Sequence, residues 1–291
     1  MHGYSKRFDG ASTGISWDAD EEEVGKIFGE FKDFTVQMFV RPDAGLGEGV
    51  VIGEIPGVGR LVLDGRSSGG CALLLARVNG RTPMSFVLPD NEFSCLTVIM
   101  SGNKLSIQVD DSKLVAIPSE YIAGTAPGMV PLCVGGASGI TAEQAFHGNI
   151  TEVRVFDHAL SEAERTSYAD RTLNGRENGL RLYWPMDEGL DRYVFDASYA
   201  NDVPNGRHAT VGNSVTTSVF VPTQAQLSRY GLTNDQGEYI IRGIPFAGSG
   251  SSYRVVPELG IHEFSPNTRS MFISPTSLTA NNVDFEDVSS F

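Results

Sequence analysis

An all-β fold is what this sequence predicts: a double-sheet β-sandwich with one short peripheral helix, followed by a smaller β-sandwich. Three observations point to it. Short apolar runs alternating with polar residues recur along the chain, the period of two shown by half-buried strands, with Gly-rich or polar turns between them. The composition agrees, since 33 Gly, 14 Pro, 16 Phe and 9 Tyr in 291 residues suit many turns and aromatic-rich strands. Only near Ser161 does the period change. There Ser161 and Glu164 form a capping box, each side chain placed to satisfy the other's backbone N–H, and start a helix that stops before Asn174-Gly175.

Taken in order, Phe34, Val36, Met38 and Val40 alternate with Thr35, Gln37, Phe39 and Arg41, giving one apolar and one mixed face. Strands at Val50 to Ile55, Arg60 to Leu63, Cys71 to Val78 and Met84 to Leu88 follow at short spacing. Leu96 to Met100 and Leu105 to Val109 make a hairpin around Ser101-Gly102-Asn103-Lys104, whose Gly-Asn tip supplies the positive φ of a two-residue turn. Met129 to Gly135 is a further strand, and Val153 and Val155 alternate with Glu152 and Arg154 just before the helix. Antiparallel strands in such number pack as two apolar faces.

The run from Gly148 through Ile150, Glu152, Val153, Arg154 and Val155, leading into Ala159-Leu160-Ser161-Glu162-Ala163-Glu164, resembles the last strand and trailing helix of the laminin G-like, concanavalin A-type jelly roll. Arg7-Phe8-Asp9-Gly10 and Phe34-Thr35-Val36 leading to Arg41-Pro42 stand where that family has two more signatures, with Phe39 in the slot of the family's Trp. Trp184-Pro185-Met186-Asp187-Glu188-Gly189, then Phe195-Asp196-Ala197-Ser198 and His208 to Val211, resemble the strand that ordinarily begins such a domain, here placed after the helix. Residues 180–214 are therefore expected to fold back and close a first domain of residues 1–214, as in a circular permutation, because domain ends usually lie close together. Residues 215–291, with Thr233-Asn234-Asp235-Gln236-Gly237-Glu238-Tyr239 and Gly243-Ile244-Pro245, resemble the carboxypeptidase regulatory-like domain, a prealbumin-like or immunoglobulin-like sandwich. That resemblance implies a spacer or stabiliser, and the domain is expected to be truncated, with the chain a piece of a longer protein.

Charge narrows the partners. A formal net charge of -14 disfavours nucleic acid and anionic membrane surfaces, which both require Lys and Arg. The acidic run Asp18, Asp20, Glu21, Glu22 and Glu23 is expected to be a solvated loop, and it fails the EF-hand pattern at Glu22 and Glu23. Cys71, Cys95 and Cys133 lie in apolar runs without metal-ligand spacing, which points to buried free thiols, and the five His are too scattered for zinc. No apolar run approaches the length of a membrane span, and the N-terminus has no apolar leader region.

Glucanases of the resembling class carry an E-x-D-x-x-E strand, and retaining hydrolysis requires two carboxyls about 5–5.5 Å apart. That motif is missing here. Glu152 and Asp157 are five residues apart and fall on opposite faces of a regular strand, while Asp284 and Glu286 share a face at the chain end and read as a solvated edge. Gly10-Ala11-Ser12-Thr13-Gly14 has the letters of a nucleophile elbow without its strand-turn-helix context, and Asn149-Ile150-Thr151 is a glycosylation sequon by letters only. The resemblance implies a non-catalytic recognition module of a secreted or cell-surface protein, binding a glycan or a surface protein. The alternatives are a glycoside hydrolase or its inactive remnant, and a purely structural spacer. Trp17 and Tyr121 are the aromatics expected to stack on sugar rings, with Trp184 in the core. The resemblance also implies a structural Ca²⁺ held by Asp187, Asp196 and Glu152 near the Gly10 carbonyl, with ordinary surface charge as the alternative.

Overall fold

The computed structural model describes residues 4–290 apart from 12–13, 18, 29, 31, 47, 68–69, 78–79, 82–85, 103, 118–131, 170, 174, 187–192, 201–202, 219–221, 223–232, 234–236, 240, 242–247 and 258–262. Two units divide the chain, residues 2–227 and residues 228–291. The first unit opens with β1 (Ser5–Asp9), β2 (Ile15–Trp17), helix α1 (Glu21–Ile27), β3 (Asp33–Pro42), β4 (Glu48–Ile55), β5 (Gly59–Ser67), β6 (Gly70–Arg77), β7 (Gly80–Arg81) and β8 (Phe86–Pro89). It continues through β9 (Ser94–Ser101), β10 (Lys104–Val109), β11 (Val115–Ala116), β12 (Leu132–Val134), β13 (His147–Phe156) and helix α2 (Glu162–Ala169). It ends with β14 (Leu180–Trp184), β15 (Tyr193–Val194), β16 (Tyr199–Ala200), β17 (Val203–Pro204), β18 (Ala209–Val211) and β19 (Thr216–Ser218).

These strands build an antiparallel jelly-roll sandwich. One sheet has the order β11-β10-β9-β3-β13-β1-β19 with β14 also on β13; the other has β15-β18-β2-β12-β4-β5-β6-β7 with β8 on β6. Period-two patterning decides what each face meets. Phe34, Val36, Met38 and Val40 of β3 are fully buried between the sheets beside Leu96 and Val98 of β9, and Ile52, Leu61, Leu63 and Val134 approach from the other sheet. Burying each such side chain stabilises by roughly 1.5–3 kcal/mol, so this stripe dominates the fold. Thr35, Gln37 and Phe39 point to the opposite face of the first sheet, and that face is what α2 covers.

The segment after α2 completes both sheets. β14 pairs antiparallel with Val153–Phe156 of β13, β18 pairs with β2, and β19 pairs with β1. Along one flank of β13, β1 takes Ile150 to His147 and β14 takes Phe156 to Val153, so the two lie end to end although 170 residues separate Asp9 from Leu180. The junction falls at Glu152, which has φ 55, and there Thr151 Oγ1 donates to the Pro185 carbonyl at 2.7 Å. The boundary read at 214/215 falls inside this unit, because Thr216–Ser218 is hydrogen-bonded to β1.

Among the described residues two α-helices form where the sequence reading expects one. The acidic run at 18–23 is not a plain loop: the Asp20 side chain caps α1 by accepting the Glu23 N–H at 2.9 Å. The acidic first turn suits the positive end of a helix, and Val24, Ile27 and Phe28 bury one face in the core. α2 starts as its capping box predicts, with Ser161 N donating to Glu164 Oε2 at 2.8 Å and Glu164 N donating to Ser161 Oγ at 3.3 Å. These bonds from Ser161 hold the Glu164 carboxyl below the usual carboxylate range. Beneath α2 a second apolar cluster gathers Phe156, Leu160, Tyr168, Leu173, Leu180 and Tyr183.

The second unit pairs β20 (Ser251–Val255) with β22 (Arg269–Ile273) and β21 (Phe264–Ser265) with β23 (Glu286–Asp287), both antiparallel. Most of the signature at 233–246 lies outside the described residues.

Candidate functional site

Of the two aromatics named from sequence, Trp17 is not placed to stack on a sugar ring. Trp17 is 5% exposed and packs in the core, because in the short strand β2 both Ile15 and Trp17 face inward and only Ser16 faces out. Tyr121 lies outside the described residues. Trp184 is fully buried, as expected, and its Nε1 donates to the Arg207 carbonyl at 2.9 Å. An exposed ring that sequence reasoning missed is Phe195, 43% exposed and set edge-on to His208 with centroids 5.2 Å apart.

Two of the residues named for calcium are committed elsewhere, and the third, Asp187, lies outside the described residues. Glu152 is fully buried and faces the cationic guanidinium of Arg154: Arg154 Nε donates to its Oε2 at 3.1 Å, and the Tyr183 hydroxyl donates to its Oε1 at 3.0 Å. Burial first, and then the Glu152 charge, push the Tyr183 phenol well above its ordinary range, so it stays a donor. Asp196 accepts from Tyr183 N, Ser198 N, Ser198 Oγ and Arg207 N at 2.7–3.1 Å, which ties β14 to the backbone at residues 198 and 207. Among the described residues no three His, Cys, Asp or Glu side chains converge as a metal-binding group. Asn149 of the sequon is fully buried and donates to Ser5 Oγ at 3.0 Å, so no glycan attaches there in the folded chain.

The same buried arginine positions α2. Arg154 Nη1 donates to the Tyr168 carbonyl in the last turn of α2 at 2.5 Å, and Nη2 donates to the Arg171 carbonyl just beyond the helix at 2.6 Å. Its guanidinium also lies 5.7 Å from the Phe39 ring centre, in the slot where the resembling family carries Trp. At the other end, Thr35 Oγ1 donates to the His158 carbonyl and accepts the Leu160 N–H, both at 2.9 Å. The helix is therefore pinned at both ends over the outer face of the first sheet.

Between α2, β9, β10 and the turn at residues 110–114 this pinning leaves a polar groove of about 470 Å³. Its volume falls within the range of roughly 300–1,000 Å³ typical of small-ligand sites. Gln37 and Thr97 form its floor, 0% and 3% exposed, and Gln37 Nε2 donates to Thr97 Oγ1 at 3.2 Å. Its walls are held rigid. Arg165 Nε donates to Gln108 Oε1 at 2.9 Å, Gln108 Nε2 donates to the Ser112 carbonyl at 2.8 Å, and Asp110 Oδ1 accepts the Cys95 N–H at 2.7 Å. Cys95 is a free thiol that burial pushes up to about 11, so its thiol is no reactive nucleophile; burial pushes Cys133 up to about 12. Sequence periodicity places Gln37 and Gln108 on outward strand faces, but not under a common helix.

A jelly-roll β-sandwich with a helix strapped over one outer face is the class of protein that fold and groove define. A family model for the concanavalin A-like lectin/glucanases superfamily, of laminin G type, matches residues 9–164, more than half of the chain, and the chain belongs to that superfamily. Among solved structures, a candidate carbohydrate-binding protein from Bacteroides ovatus is 20% identical, with 75% of this chain and 60% of that one covered and a TM-score of 0.53. The chain thus spans 60% of that protein's length. A SAP-like pentraxin from Limulus polyphemus is 13% identical, with 55% of this chain and 72% of that one covered and a TM-score of 0.34. Domain 4 of an extracellular arabinanase from Geobacillus stearothermophilus, solved with arabinotriose, is 14% identical, with 47% of this chain and 66% of that one covered and a TM-score of 0.30. No curated protein matches the chain.

Proposed function

We propose that the first unit is a non-catalytic carbohydrate-recognition module of a secreted or cell-surface protein. The observation that carries the non-catalytic part is the fate of the two carboxylates nearest to an acid–base pair. Glu152 has no surface to offer a substrate, and Asp157 accepts from Arg181 Nε at 2.6 Å. Glycoside hydrolysis requires both carboxyls to flank the scissile bond, and a residue sealed against Arg154 cannot do so. Superfamily membership and the carbohydrate-binding description of the Bacteroides ovatus protein support recognition of sugars. The second unit, in this proposal, is a carboxypeptidase regulatory-like spacer, and other domains of a longer chain are its neighbours. Among the described residues no helix is long and apolar enough to cross a membrane.

Affinity electrophoresis of the full chain through gels containing soluble polysaccharides, with calcium and with chelator, tests this reading when reducing ends are assayed in the same samples. Retarded migration on at least one polysaccharide without release of reducing ends is the expected result. Release of sugar would restore the hydrolase reading, and unretarded migration of folded protein on every polysaccharide would favour a structural spacer. Loss of retardation in chelator would assign a role to calcium.

A further inference from the structure

Phe8, Phe28, Phe34, Phe39, Phe146 and Phe156 are 0–1% exposed, whereas Phe195 is 43% exposed. Strand pairing puts it outside. Val194 pairs with Ala209 and both side chains lie in the core, so the next pair in that register, Phe195 and His208, emerges on the outer face of the second sheet. His208 is held in one state. Its Nδ1 accepts the Asp196 N–H at 3.0 Å, which leaves the proton of the neutral ring on Nε2. Nε2 has no hydrogen-bond partner among the described residues, and His208 is exposed. The backbone between the two is rigid as well, because the Asp196 carboxylate is tied to Tyr183, Ser198 and Arg207. A lone exposed ring is ordinary on a protein surface. A ring set edge-on, 5.2 Å from a donor whose proton and position are both fixed, is a preorganised contact.

From this geometry we infer that Phe195 and His208 form a binding site for a neutral pyranose, whose C–H face packs on the Phe195 ring while one of its hydroxyl oxygens accepts from His208 Nε2. The inference rests on the carbohydrate-recognition reading above and places it on the outer face of the second sheet, at its β15 end. A sugar ring brings both halves of the contact at once, an apolar face and a rim of hydroxyls, and centroids 5.2 Å apart let one ring touch both side chains. Thr210 and Ser16, paired in register, continue the same face with two hydroxyls able to donate or accept. Charge sets the class further. Arg207, next to His208 in the chain, faces Glu23 at 3.3 Å through Nε and donates Nη1 to the Arg181 carbonyl at 2.8 Å. On a chain of net charge -14, sulfated or carboxylated sugars are disfavoured.

The test is an NMR titration of the full chain, isotopically labelled at its histidine ring nitrogens, with glucose, galactose, mannose, N-acetylglucosamine and their disaccharides at tens of millimolar. Three variants accompany it. Phe195→Ala removes the ring, Phe195→Trp keeps an aromatic face there, and His208→Gln assigns the His208 signals by removing them. The expected result is a saccharide that shifts His208 Nε2 in the parent, with affinity about tenfold lower in Phe195→Ala, as loss of a stacking ring implies, and kept in Phe195→Trp. Phe195→Ala should melt close to the parent because the ring stands at the surface, which separates loss of binding from loss of fold. A saccharide that binds Phe195→Ala as tightly as the parent, or leaves the His208 signals unmoved, would overturn this site while leaving carbohydrate recognition intact. Equal weakening in both Phe195 variants would overturn the stacking contact. No binding of any saccharide to the folded parent would overturn both the site and the reading it rests on.

Discussion

Arg154 joins three elements through one fully buried guanidinium: β13 through Glu152, α2 through the Tyr168 and Arg171 carbonyls, and β3 through the Phe39 ring. Arg154→Met should cost about 3–5 kcal/mol, because it strands a buried carboxylate, and the double variant Glu152→Gln with Arg154→Met should recover part of that loss. Urea unfolding of the three chains measures both values; equal stability of the single and double variants would show that helix attachment, and not the stranded charge, dominates. Gly148 shows why its position in the strand motif is glycine. At φ +150, an added Cβ would lie 2.3 Å from the Arg41 carbonyl oxygen, so Gly148→Ala forces β3 and β13 apart and should lower the melting temperature.

The two helices differ in how they could be read. α2 was legible because Ser161 and Glu164 are a capping box between a strand and a polar turn. α1 was not, because five acidic residues in six positions read as solvent-facing charge; yet Asp20 followed by Glu23, with Val24, Ile27 and Phe28 at helical spacing, carried the signal. Ser161→Ala and Asp20→Ala should each cost about 1 kcal/mol of stability in denaturant unfolding. Strand β3 is anchored to β1 by a bidentate pair, Arg7 to Asp43 at 2.5–2.7 Å, and the hydrogen bonds from Arg7 hold the Asp43 carboxyl below its ordinary value of 3.8. Because the folded-state pKa is the lower one, the pair's contribution is complete well above pH 3.8 and is lost as acid protonates Asp43. Melting temperature should hold from pH 7 to about 5 and fall below about 4, and Asp43→Asn should flatten that fall. The groove was beyond sequence reasoning for a physical reason. Gln37 and Arg165 are 128 positions apart, and only the pairing of β3, β9 and β10 with a helix pinned through Thr35 brings their surroundings together.

At the scale of the molecule, the sandwich is closed by strands that follow its helix. The jelly-roll class and the fold-back of the displaced Trp184 run were readable from the motifs, while the strand order and the extent of the closing segment were not, since three-residue strands such as β19 carry no periodicity. Deleting residues 180–214 should unfold the first unit, because Trp184, Leu182 and Val194 leave the core with it. A chain ending at residue 214 should melt below one ending at residue 227, because only the longer one keeps Thr216–Ser218 on β1; equal melting temperatures would make β19 dispensable. The claim of recognition is tested most directly by a glycan-array screen of the full chain carrying neutral, amino, sulfated and sialylated glycans side by side. Selective binding to neutral or amino sugars with blank charged spots is the predicted outcome. A blank array from folded protein, or a preference for sulfated glycans, would contradict it.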